Sequence, residues 1–211
     1  LHNQSRRQRQ MCIRDSYAAI QIIELPTYRQ IGEWRHNTTA IPGQVRVLKD
    51  ICDHIASKTA TENSIYWSIE NNAIGEAALI VINDFGEDNI PGLFVSEPIR
   101  KGHVRKFRKG FNTTHGSKIT TCSALKVLIE NDKFTINSGV LISELKTYVS
   151  TGSSYRAKVG ETDDLVSALL LTIRIITVLK DWDPRIYNTF KSIDEAEDYT
   201  APMPIFISTN Y

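Results

Sequence analysis

Apolar and polar positions change period several times along the chain, and each change marks an element. From Tyr17 onward, Ala18, Ile20, Ile22 and Leu25 with Ala19 and Ile23 form a β-prone run that Pro26 terminates. After a turn at 27–29, residues 30–36 alternate, with Ile31, Glu33 and Arg35 against Gln30, Gly32 and Trp34. This predicts a second strand antiparallel to the first. Pro42 then opens a helix at a favourable first-turn position. Val45, Leu48, Ile51, Cys52 and Ile55 recur at three- and four-residue steps and give that helix one apolar face. Alternation returns over 64–70, with Ile65, Trp67 and Ile69 on one side and Glu70 on the other. A short helix over 73–81 and a strand over 92–95 follow. Two further helices are predicted over 117–130 and 138–149, where Ser117 and Ser138 suit the N-cap positions. The last helix, 162–180, is apolar on nearly all sides. The order predicts an α/β domain with a mixed sheet flanked by helices.

With 211 residues the chain suits one domain, or one domain with a small appendage, and 41% hydrophobic residues are enough for a core. Net charge is +1, from 25 Lys+Arg against 24 Asp+Glu, which excludes a uniformly basic coat. Cys12, Cys52 and Cys122 are widely spaced and odd in number, fitting neither a disulfide framework nor a zinc knuckle, and a reducing compartment is expected. No apolar run reaches the ~18 residues of a membrane span. The longest, 165–179, is broken by Arg174 and reads as a buried helix, so a soluble intracellular protein is expected. Residues 1–14 carry Arg6, Arg7, Arg9 and Arg14 and no hydrophobic region for a secretory signal. An arginine-rich arm for nucleic acid is one reading of them. The preferred one is that Met11-Cys12-Ile13-Arg14-Asp15-Ser16 resembles translated adapter sequence. The expected organisation is therefore a disordered or artefactual stub at 1–16, a domain at 17–180 and a tail at 181–211, in a fragment of something longer.

Several signatures are missing from the sequence. It contains no G-x-x-x-x-G-K-[ST] phosphate loop, no G-x-S-x-G elbow and no H-E-x-x-H helix, and its five histidines show no ligand spacing. Two acidic positions at element edges remain. Glu70 closes an apolar strand, at the carboxyl end where open α/β sheets bind ligands. Asp163 and Asp164 occupy the first turn of the long apolar helix, where acids also complement the helix dipole without any chemistry. Taken together, these acids suggest oxygen ligands for magnesium. Between them lies a segregated basic run, Arg100, Lys101, Arg105, Lys106, Arg108 and Lys109, interleaved with His103 and Phe107. Just upstream, Asp84, Glu87, Asp88 and Glu97 carry the opposite sign. A charge run often forms a solvated loop. Beside metal-binding carboxylates it also suits a phosphodiester-cleaving enzyme, with bases on the phosphates and metals activating water. Residues 100–109 are expected to form a mobile hairpin or loop beside the acids.

Three segments carry a family resemblance: Ser68-Ile-Glu-Asn-Asn72, Thr120-Thr-Cys-Ser-Ala-Leu-Lys-Val-Leu-Ile-Glu-Asn-Asp-Lys133 and Gly160-Glu-Thr-Asp-Asp-Leu-Val-Ser-Ala-Leu169. In order and together, they resemble the C-terminal nuclease domain of large terminase subunits from contractile-tailed phages. Tyr17-Ala-Ala-Ile-Gln-Ile-Ile-Glu24 resembles that family's second strand. The resemblance implies a ribonuclease H-like fold and a Mg²⁺- or Mn²⁺-dependent endonuclease, with two ions, that cuts concatemeric double-stranded DNA around genome packaging. It makes Glu70 the central metal-binding acid and Asp163 with Asp164 the C-terminal one. It also implies a preceding ATPase domain, portal protein and small terminase subunit as partners, and a place at the procapsid portal in the host cytoplasm.

This sequence departs from the family pattern twice. The first catalytic Asp of the family would fall at Gln8 or Arg9, so no acid occupies it, and the chain as given is expected to be inactive. If residues 1–16 are not native, that departure loses its meaning. Thr162 stands where many relatives carry His before the paired aspartates. Two other functions stay open on the residues. One is another ribonuclease H-like nuclease of resolvase or transposase type, and the other is a non-catalytic DNA-binding or assembly domain.

Overall fold

The computed structural model describes residues 17–59, 64–101, 104–152, 154–183, 186–188 and 190–191. Strand β1 (Ala18–Glu24) and β2 (Arg29–His36) form the expected antiparallel pair, from Ala18 opposite His36 to Glu24 opposite Arg29. A register shift between Ile22 and Ile23 bulges the ladder. Helix α1 (Ile41–Thr59) follows, with Val45 and Cys52 buried at a seven-residue interval on the predicted face. The strand expected over 64–70 is regular only at β3 (Tyr66–Trp67), which pairs in parallel with β4 (Leu93–Phe94). Its course nevertheless continues, because it changes partner. The Val95 amide donates to the Trp67 carbonyl (2.8 Å), and two residues later the Phe111 amide donates to the Ile69 carbonyl (2.9 Å). The Asn71 amide closes the exchange on the Phe111 carbonyl (2.6 Å), leaving Glu70 bridged to Phe111.

Helix α2 (Ala73–Phe85) runs one turn beyond its predicted end, because Ile82 is apolar and fully buried. The chain then forms a short 3₁₀ turn (Glu87–Asn89) and β4, and leaves as the hairpin β5 (Glu97–Lys101) and β6 (Val104–Arg108). Helix α3 (His115–Glu130) corrects the expected cap. Thr114 is the N-cap and accepts from the Ser117 amide (3.1 Å), while Ser117 Oγ accepts from the Thr114 amide (2.9 Å) in a reciprocal capping box. Helix α4 (Gly139–Thr147) is capped by Ser138 as expected. It ends before Val149, however, because 148–149 belong to an unpredicted hairpin, β7 (Tyr148–Thr151) with β8 (Ser154–Ala157). Gly152, at φ +63°, supplies the left-handed residue of that turn. The last long helix, α5, covers Asp164–Trp182.

The α/β class with parallel and antiparallel strands is the one expected, but the described strands form four two-stranded sheets instead of one continuous sheet. Helix α5 is the centre of packing. Leu165, Val166, Leu169, Leu170, Ile173 and Ile176 are buried against β1, α3 and α4. A second core joins Val45 and Cys52 of α1 to Ile65, Trp67 and Ile82. Ile175 and Leu179 on another face of α5 meet Val95 and Phe111. Between β1 and β3 lies a groove of about 960 Å³, also lined by α1, α2 and α5. β2 pairs with one edge of β1, and the other edge has no strand partner among the described residues. None of the described helices is long and apolar enough to cross a membrane.

Candidate active site

Glu70 is held by its backbone. The strand bridge to Phe111 fixes one side, and Asn71 Nδ2 donates to the Lys109 carbonyl (2.8 Å). On the other side α2 begins at once: Asn72 is its N-cap, and Asn72 Oδ1 accepts from the amides of Ile74 (3.2 Å) and Gly75 (2.9 Å). Gly75 lies so close that a Cβ there would stand 1.7 Å from the Glu70 carbonyl oxygen. The expected facing is met. Ile65 and Trp67 are buried in the α1–α2 core with Ile69 packed on it, while Glu70 is half-buried and lines a small cavity with Ser117, Lys118, Ser167 and Arg174.

The paired aspartates lie at the start of α5. Asp163 is its N-cap residue, yet its side chain makes no capping hydrogen bond. Its Oδ2 stands 4.0 Å from Lys118 Nζ, and that ammonium also sits over the Tyr148 ring, 5.4 Å from its centroid. Burial, then the Cys122 thiol and Asp163, push the Tyr148 hydroxyl well above its ordinary value. Burial likewise raises the Cys122 thiol, against the opposing influence of Tyr148 and Lys118. Asp164 occupies the first turn and lines the large groove together with Glu70. The chain thus brings Glu70 and Asp164 to one groove, and Lys118 connects Asp163 to the cavity that Glu70 lines. Among the described residues it does not assemble three His, Cys, Asp or Glu side chains into a metal-holding cluster. Magnesium is commonly held by one or two carboxylates with waters and substrate phosphates. Hard carboxylate oxygens from Glu70 and Asp164 on a shared groove fit that requirement.

The basic run forms a hairpin, as expected, with Arg100 opposite Arg105 and Ile99 opposite Lys106. His103 lies outside the described residues. The hairpin begins and ends beside Glu70. The Glu97 amide donates to the Gly110 carbonyl (3.1 Å), and Gly110 precedes the Phe111 that bridges Glu70. The acids upstream do not stay apart from the bases. Exposed Lys109 pairs with Glu87 (2.9 Å), and Glu97 pairs with Arg174, whose guanidinium lies over the Phe111 ring. Gln8 and Arg9, where the family resemblance would put a first acid, lie outside the described residues.

Sequence reasoning missed four side chains that shape the site. Lys118, Arg174 and Arg35 are isolated bases without a motif. Glu144 carried a signal, since it sits three residues after Leu141 on the apolar face of α4, where an acid must find partners. It is 5% exposed and accepts from Arg35 (2.7 Å) and from Thr162 Oγ1 (3.0 Å). Thr162, which by the resemblance stands where many relatives carry His, therefore donates to Glu144.

A sequence model for the family described as the terminase RNaseH-like domain matches residues 14–174. Two solved structures of the large terminase nuclease from thermophilic phage G20c are similar in fold. The one with bound cobalt has a TM-score of 0.54 at 19% identity, covering 76% of this chain and 76% of that chain. The one with bound magnesium has a TM-score of 0.54 at 19% identity, covering 75% and 74%. The fold is thus the mixed α/β, ribonuclease H-like one that the order of elements and the resemblance implied.

Proposed function

The chain belongs to the terminase RNaseH-like domain family, and from that premise we propose that it is the metal-dependent endonuclease domain of a phage DNA-packaging terminase, hydrolysing phosphodiester bonds of concatemeric double-stranded DNA. One observation carries the reading. Glu70 and Asp164 line one groove, and a hairpin bearing five bases in sequence, followed at once by Lys109, starts at Glu97, whose amide bonds to Gly110 beside the residue that bridges Glu70. Glu70 and Asp164, with Asp163 beside them, would hold Mg²⁺ or Mn²⁺. Two such ions, when bound, supply an activated water and stabilisation of the leaving oxygen. The protein's own contribution is to orient. Gly75, Asn72 and Phe111 fix the strand end under Glu70, the start of α5 presents Asp163 and Asp164, and the hairpin draws the duplex in by its phosphates. Lys118, near Asp163, moderates the local negative charge before a metal enters. The likeness in fold to a nuclease solved with bound magnesium and with bound cobalt supports the choice of a divalent metal. A preceding ATPase domain, a portal protein and a small terminase subunit are the partners this role calls for, at the procapsid portal in the host cytoplasm.

A first-strand Asp is part of the reading, and its position in this chain holds Gln8 or Arg9. The edge of β1 along the groove, which has no strand partner among the described residues, is where a strand carrying that acid would pair. Plasmid and linear duplex cleavage test the proposal, using the chain as given and the chain with an authentic Asp-bearing strand restored ahead of Tyr17. Mg²⁺-dependent nicking and double-strand cutting are expected of the restored chain, with little or none from the chain as given and none from restored Glu70→Ala. Strong cutting by the unmodified chain would show that the third acid lies elsewhere. DNA binding without cutting by the restored chain would favour an assembly domain, and preference for branched substrates would favour a resolvase.

A further inference from the structure

Helix α5 has an unusual start. Its N-cap residue is an aspartate, a residue type well suited to accept from the N2 and N3 amides, yet Asp163 accepts from neither. Those amides instead reach a carboxylate from another element. Leu165 N donates to Glu144 Oε2 at 2.9 Å and Val166 N to the same oxygen at 3.2 Å. The second oxygen, Oε1, accepts from Arg35 Nη1 at 2.7 Å and from Thr162 Oγ1 at 3.0 Å. Arg35 Nη1 also donates to Thr162 Oγ1 at 3.3 Å, closing a triangle between β2, α4 and the residue just before Asp163. Four donors therefore converge on one buried carboxylate, a fully satisfied network of the kind that fixes geometry.

We propose that Glu144 is a positioning residue for the α5 acids: by capping the helix from outside, it keeps the Asp163 carboxylate, which stands 4.0 Å from Lys118 Nζ, off the helix amides and fixes the helix start from which Asp164 reaches the groove. The proposal rests on the metal-site reading above. An aspartate in the N-cap position has two uses for its lone pairs, the helix amides or a ligand, and cannot give the same lone pair to both. With Glu144 present the amides are already satisfied. Without it, the N-cap position makes Asp163 an acceptor available to the Leu165 and Val166 amides. Removal of Glu144 would thus cost metal affinity by turning Asp163 inward, beyond any loss of stability.

Mn²⁺ titration of the full chain, followed by the free-ion paramagnetic resonance signal, tests this alongside amide hydrogen exchange without metal. In Glu144→Ala the affinity should fall about 10- to 100-fold, the range for partners that orient metal ligands. Arg35→Ala also disturbs the buried pair but leaves the cap in place, and should keep affinity within about threefold of wild type. If Glu144→Ala does not fold, Glu144→Gln keeps the size and one acceptor oxygen, and should still lose more affinity than Arg35→Ala. Exchange at Leu165 and Val166 should change in the Glu144 variants and not in Arg35→Ala. A purely structural Glu144 would lower the unfolding midpoint and leave Mn²⁺ affinity equal to wild type, which would overturn the proposal alone. A wild-type chain that binds no Mn²⁺ would overturn the metal-site reading and this proposal with it.

Discussion

At Gly75 a hydrogen in place of a side chain lets the first turn of α2 rest on the carbonyl of Glu70. An added Cβ would fall 1.7 Å from that oxygen, which is backbone and cannot swing aside. Gly75→Ala must push the strand end and the helix apart, so a loss of about 1–3 kcal/mol, the usual cost of overpacking, is a lower expectation. Urea denaturation of wild type and variant measures it, and a change within about 0.5 kcal/mol would mean the contact is not rigid. The chemistry of this scale was partly legible. Glu70 stood out because it closes the alternation of Ile65, Trp67 and Ile69 from the opposite face, and the burial of Ile65 and Trp67 with Ile69 packed on them is what placed it. The need for glycine at 75 was not legible, because a contact between a strand end and the following helix leaves no periodic trace. The value of Glu144 was hidden for the opposite reason. Its position on an apolar helix face was visible, but its donors come from Arg35, Thr162 and the start of α5, far away in sequence.

Among the elements, periodicity located β1, β2, α1, α4 and α5 to within a few residues, since each has one face in a core. It overran where local pairing decides the outcome. The strand over 64–70 shortens to β3 because its second half pairs with 110–111 instead of β4, and the β7–β8 hairpin escaped notice because its four-residue strands are too short for a period. The β5–β6 hairpin was legible from charge, and the DNA contact proposed for it would be a property of the element as a unit. Each Lys or Arg that meets a phosphate contributes about 0.9 to the slope of log affinity against log salt. Replacing Arg105, Lys106, Arg108 and Lys109 with Ala should weaken binding to any duplex, whatever its sequence, and flatten that slope. The hairpin leaves at Glu97 and returns at Gly110, so the cores around α5 and α1 should keep their stability. The pair of Lys109 with Glu87 is exposed and contributes little to folding. Binding titrations at two salt concentrations decide the matter: an unchanged slope would remove the hairpin from the DNA interface.

The whole molecule is arranged around α5. One face of that helix closes the core with β1, α3 and α4, another meets Val95 and Phe111 behind Glu70, and its first turn carries the aspartates. A single buried helix thus relates the two acidic positions, which lie 93 to 94 residues apart in sequence (Glu70 to Asp163 and Asp164). Sequence order predicted the α/β class. The division of the described strands into two-stranded sheets, with a groove between β1 and β3, was beyond it, because periodicity reports which face of a strand is buried and not which edge is paired. Glu70 and Asp164 both line that groove, and the proposed chemistry depends on a metal held there. Anomalous diffraction at the manganese edge, from crystals of the chain soaked in Mn²⁺, reads this directly. A peak within coordination distance of Glu70 and at least one of Asp163 and Asp164 is the predicted result. Mn²⁺ bound only elsewhere, with these carboxylates making no contact to it, would contradict the assignment.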